Sequence, residues 1–150
     1  MNEKSINISA RVQSLQTVID FLEESLKCIS ASRNVVHDVR LSVEEMFVNI
    51  ALYAYEGGEG KVKVSISLTN DGSKNIITIV FQDSGKQFNP LLHDDPDISI
   101  PLAEREIGGL GIFLVKKSMD DVRYEYLNAH NITTMVKILE RDKHGNMGKG

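Results

Sequence analysis

The hydrophobic period of this chain changes at Gly57-Gly58, and that change restricts the fold more than any other feature. Before it, apolar residues recur at three- and four-residue spacing: Val12, Leu15, Val18, Leu22, Leu26 and Ile29, then Val36, Val39, Val43, Phe47 and Ile50. Such spacing lines one face of a helix. It predicts a first helix over 9–29 with Ser9 as N-cap, a polar break at 30–34, and a second helix ending near Gly57. Beyond the glycines, Val62, Val64, Ile66 and Leu68 alternate with Lys61, Lys63, Ser65 and Ser67, the pattern of a strand with one wet face.

A turn at 69–73 and a more buried apolar run over 76–81 complete a hairpin. Residues 83–111 hold all three prolines and little periodicity, and read as one long loop. A helix over 111–119, a strand over 122–127, a turn at 128–131 and a strand over 133–139 follow. Two helices, a hairpin, a helix and a second hairpin make an α+β fold. The expected architecture is a two-layer α/β sandwich, with helices on one face of a mixed, mostly antiparallel sheet.

At 150 residues the chain fits a single domain over 1–150, with a core at about 8–140 and a solvated, flexible tail at 141–150. Its formal charge of -4 argues against a nucleic-acid surface, which needs clustered Lys and Arg. The single cysteine, Cys28, has no partner for an internal disulfide and reads as an inert helix residue. No apolar signal core and no membrane-length run is visible, so a cytoplasmic protein without membrane contact is expected. The triplets beginning at Asn7 and Asn131 match the glycosylation pattern and read as chance.

Three short motifs carry chemistry. Glu45 and Asn49 lie four residues apart on the second helix, so both project from one face. A carboxylate beside an amide oxygen can share a magnesium ion with nucleotide phosphates and leave the carboxylate free as a base; the plain alternative is a solvated helix face. Asp83 closes the buried strand with Gly85 two positions on, an acceptor for a ligand amine or an ordinary Asp-x-Gly turn. Gly108, Gly109 and Gly111, with Leu110 between them, open a helix whose free N–H groups could face phosphate. A Walker loop is absent, and the glycines follow a polar loop rather than the strand a dinucleotide fingerprint requires.

In this order, the motifs resemble the Bergerat (GHKL) ATP-binding fold of histidine kinases, DNA gyrase and related ATPases. Within it, the chain is most similar to the bacterial anti-sigma factor serine/threonine protein kinases, through the wording EE-x-x-x-NI-x-x-Y-A-Y, D-S-G-x-x-F-x-P and ERE-IGGLG. The resemblance implies ATP/ADP and Mg2+ as cofactors, with Glu45 as the catalytic base and Asn49 holding the metal. It implies that Asp83 bonds the adenine amino group, that Gly85 lets the chain pass the base, and that Gly108, Gly109, Leu110 and Gly111 present amides to phosphate. Arg105 would contact phosphate, and 89–107 would form a lid.

The implied partners are a sigma factor and an STAS-domain antagonist that is phosphorylated to reset a partner switch, with the kinase a homodimer. The alternative is a non-catalytic module in which nucleotide gates protein binding. Two features depart from the superfamily: Tyr53 stands where many relatives carry a basic residue, and the segment 91–99 is acidic. His37, eight residues before Glu45, reads as an ordinary helical histidine rather than a phosphoacceptor.

Overall fold

Five strands form one sheet in the order β1-β2-β3-β5-β4, where β1 is Asn2–Ser9, β2 Lys61–Asn70, β3 Lys74–Asp83, β4 Asp121–Leu127 and β5 His130–Glu140. The structure, a computed structural model, describes residues 2–27, 29, 31–70, 72, 74–92 and 109–140. All four strand pairings are antiparallel. Among the described residues three α-helices, α1 (Leu15–Leu26), α2 (Arg33–Tyr53) and α3 (Gly109–Ser118), cover one face. Cys28, Arg105, Gly108, the tail from 141 and most of the expected lid lie outside the described residues.

The alternation read from sequence sets the core. Val62, Val64 and Ile66 from β2, Ile77, Ile79 and Phe81 from β3, and Met135 and Leu139 from β5 are buried against the helices. Val18, Ile19, Leu22 and Leu26 from α1, Val39, Val43, Met46, Phe47 and Ile50 from α2, and Ile112 and Val115 from α3 meet them. Side chains of this size contribute about 1.5–3 kcal/mol each when fully buried. That burial holds the two layers together.

Several boundaries differ from expectation, and α2 ends at Tyr53 rather than near Gly57. Ser9 is not a helix cap: it ends β1, pairing with Lys61, and α1 begins only at Leu15 after a short turn over Val12–Ser14. The true cap signal belongs to α2, where the Ser32 hydroxyl accepts from the Val35 N–H at 3.1 Å. The second turn is shorter than expected. Asn128 and Ala129 both have positive φ, 52° and 62°, the geometry of a two-residue hairpin turn, and so His130 and Asn131 enter β5.

One lysine fixes the third helix. Lys137 stands on the helix-facing side of β5 between Met135 and Leu139, and its side chain is only 14% exposed. Its ammonium donates to the Ser118 carbonyl at 2.6 Å and to Asp38 Oδ2 at 3.2 Å. A cation at the last carbonyls of α3 also complements the negative end of that helix. The C-terminus of α3 is thereby tied near the start of α2.

Candidate functional site

The α2–α3 pair positions the first part of the site. Ser118 of α3 is tied to Asp38 of α2 through Lys137, and seven residues earlier Gly111 lies against Glu45, seven residues later on α2. The helices therefore run antiparallel. A Cβ built on Gly111 would collide with Oε2 of Glu45, so the absence of a side chain at 111 makes room for the carboxylate at the first turn of α3. Gly109 is the first described residue of α3, and backbone N–H groups in the opening turn of a helix have no partner within it.

Glu45 is half-buried, and burial, followed by the charge of neighbouring Glu44, pushes its carboxyl above the usual carboxylate value. One turn further along α2, Asn49 is buried and lines a cavity with Ile50, Ala54, Asp83, Phe88 and Asn131. The cavity is about 20 Å³, space for roughly one water. Its walls come from α2, the end of β3, the strap after it and β5.

Asp83, 5% exposed, ends β3 at this cavity. Its Oδ1 accepts from the Gly85 N–H and from the Asn131 side-chain amide, each at 2.9 Å. Among the described residues Oδ2 has no hydrogen-bond partner, which leaves one carboxylate oxygen to a ligand donor. Gly85 then meets the end of α2: a Cβ there would overlap the Ala54 backbone, and the Lys86 N–H donates to the Ala54 carbonyl at 2.9 Å. The Asp-x-Gly turn and the close backbone approach are thus both present.

The sequence pattern of the histidine kinase-like ATPase domain matches residues 8–137, nearly the whole of the described fold. The chain belongs to that family. Among curated relatives, this histidine kinase-like ATPase domain is similar to the serine-protein kinase RsbW of Halalkalibacterium halodurans, 29% identical over 119 residues, covering 77% of this chain and 70% of the relative. It is also similar to proteins of the same name from Bacillus cereus, 24% identical over 118 residues, and from Bacillus thuringiensis, 26% over 117. Each of these alignments covers 75% of the chain and 70% of the relative.

Of the residues singled out from sequence, the histidine kinase-like ATPase domain brings Glu45 beside Gly111 and sets Asn49 and Asp83 on one cavity. Gly109 and Leu110 are the first two residues of α3. Arg105 and Gly108 fall outside the described residues. His37 is exposed on α2, and no group of three or more His, Cys, Asp and Glu side chains comes together among the described residues. The amide oxygen of Asn49 fits a Mg2+ ion that keeps waters and takes its remaining ligands from phosphate, with Glu45 one turn away left free as a base.

Sequence reasoning passed over three residues. Tyr55 accepts from the Ser84 N–H at 2.9 Å and donates to the Lys61 carbonyl, clamping the end of α2 to the strand ends. Its signal was the Y-A-Y wording, which carried no role. Asn131, read only as a chance glycosylation triplet, is 5% exposed with its amide fully bonded, and the folded chain offers it to no glycosyl carrier. Tyr124 donates to Asn131 Oδ1, and burial raises its phenol above the usual value. Tyr53 packs against Phe88 with ring centroids 6.2 Å apart, at the cavity margin.

Proposed function

We propose that this chain binds ATP and acts as a serine/threonine protein kinase. The observation that carries the reading is the half-buried Glu45 carboxylate lying against Gly111 at the start of α3, one helical turn from Asn49 at the cavity. Family membership and the name of the relatives, serine-protein kinase, support it. Burial raises the proton affinity of this carboxyl, and carboxyls so perturbed cluster at functional sites.

In the proposed mechanism Asp83 Oδ2 accepts from the adenine amino group, and the amides of Gly109, Leu110 and Gly111 face the phosphates. Glu45 accepts the proton of the substrate serine hydroxyl as its oxygen bonds to the γ-phosphorus. The bond from that phosphorus to the β–γ bridging oxygen breaks, and ADP leaves. A carboxyl with raised proton affinity is better matched to this transfer near neutral pH than an ordinary one. When bound, Mg2+ would neutralise phosphate charge, with Asn49 as its protein ligand. The cavity has room for about one water, so an adenine base enters only as the cavity widens.

The resemblance to anti-sigma factor kinases extends the proposal: a homodimer in the cytoplasm that holds a sigma factor and phosphorylates an STAS-domain antagonist. The test is transfer from radiolabelled ATP to an STAS-domain protein. Transfer by the wild type, lost by at least about a hundredfold in Glu45→Gln with ADP affinity retained, is expected. Nucleotide binding and partner release without transfer would instead make the chain a nucleotide-gated binder.

A further inference from the structure

Asn131 stands directly opposite Asp83 in the β3–β5 register. Its amide is saturated. Nδ2 donates to Asp83 Oδ1 and to the Lys86 carbonyl, each at 2.9 Å, and lies 3.4 Å from the Gly85 carbonyl. Oδ1 accepts from the Phe88 N–H at 3.1 Å and from the Tyr124 hydroxyl. An amide has two donor hydrogens and two acceptor lone pairs, and all four are used. Its orientation is fixed, because a flipped amide would set Oδ1 against the Asp83 carboxylate and the Lys86 carbonyl.

We infer that Asn131 is the positioning residue for base recognition, holding Asp83 so that one carboxylate oxygen is consumed and the other is aimed at the exocyclic amine of an adenine. The inference rests on the nucleotide reading above. Side-chain amide, carboxylate and the strap over 85–88 form one bonded unit lining the cavity, with Tyr124 behind the amide fixing its oxygen. A carboxylate is acceptor-only when ionised, so a base with a carbonyl in place of the amine meets acceptor with acceptor. Selectivity then depends on Asp83 having no freedom to turn away. Asn131, together with the Gly85 N–H on the same oxygen, removes that freedom.

The experiment is calorimetric titration with ADP and with inosine diphosphate, which carries a carbonyl oxygen where adenine has its amine. Wild type, Asp83→Ala, Asn131→Ala and Tyr124→Phe are compared, each checked for folding by thermal melt. A hydrogen bond to a charged group corresponds to about a tenfold or greater preference for ADP in the wild type. Asn131→Ala should bring the ADP/inosine diphosphate ratio close to that of Asp83→Ala, chiefly by weakening ADP. Tyr124→Phe should lower the ratio by about threefold, because only the orienting bond to the amide is lost.

A structural role alone would weaken both ligands by one factor. If Asn131→Ala and Tyr124→Phe keep the wild-type ratio while Asp83→Ala abolishes it, the positioning role is overturned and the nucleotide site stands. If Asn131→Ala does not fold, an unchanged ratio in Tyr124→Phe overturns the positioning role by itself. Absence of ADP binding by the folded wild type overturns the nucleotide reading, and this inference with it.

Discussion

Oε2 of Glu45 fills the space into which a side chain on residue 111 would project, so the carboxylate and the first turn of α3 are placed by the same contact. The obstructing atom is the far end of a flexible side chain. Gly111→Ala should therefore leave stability within about 1 kcal/mol of wild type, since the carboxylate can swing aside. Phosphoryl transfer, which needs the carboxylate in place, should fall by at least about tenfold. Unaltered transfer in a folded Gly111→Ala protein would show that the contact has no catalytic meaning.

Gly85 provides the contrast, because the atoms in its way are the Ala54 backbone at the end of α2. These cannot rotate aside. Gly85→Ala should cost about 1–3 kcal/mol by forcing strap and helix end apart. Chemical denaturation would measure the loss, and a midpoint equal to wild type would mean the strap yields freely.

The pH dependence of stability carries a sign fixed by Glu45. Its carboxyl is raised in the fold, so ionising it is harder there than in the unfolded chain. The contribution to stability is then full below the unfolded value near 4.5 and is lost as pH rises through the folded value. Glu45→Gln removes that loss. Thermal melts should find the variant more stable than wild type at about pH 8, with the advantage vanishing near about pH 4. An advantage that is instead largest in acid would contradict the buried-carboxylate account.

Ser42 lies on α2 three residues before Glu45, fully buried, and its hydroxyl has no hydrogen-bond partner among the described residues. An unpartnered hydroxyl in the core costs free energy without return. Ser42→Ala should be neutral or stabilising by up to about 1 kcal/mol in equilibrium unfolding. A loss larger than that would reveal a bond made through a group other than those described.

The two-layer arrangement was legible because the change of hydrophobic period at Gly57-Gly58 separates helix from sheet, and the buried faces of α1, α2, β2 and β3 follow it. β1 was not legible. In Asn2–Ser9 only Ile6 and Ile8 alternate, too short a signal beside the helical spacing that begins at Val12, and pairing with β2 rather than local propensity makes it a strand. Glu45, Asn49 and Asp83 could be singled out because each sits in a local motif. Asn131 and Tyr124 could not, since their contacts arise from the register that sets β5 between β3 and β4 and brings residue 131 to residue 83. A contact created by strand pairing leaves no local trace.

The central claim is that α2, the end of β3 and the start of α3 form a nucleotide site. Its most direct test is calorimetric titration of the folded protein with ADP, with and without magnesium, beside Asn49→Ala and Asp83→Ala. The account predicts saturable binding that strengthens with magnesium, loses that magnesium dependence in Asn49→Ala, and weakens by at least about tenfold in Asp83→Ala. Binding indifferent to both substitutions and to magnesium, or no binding at all, would contradict it.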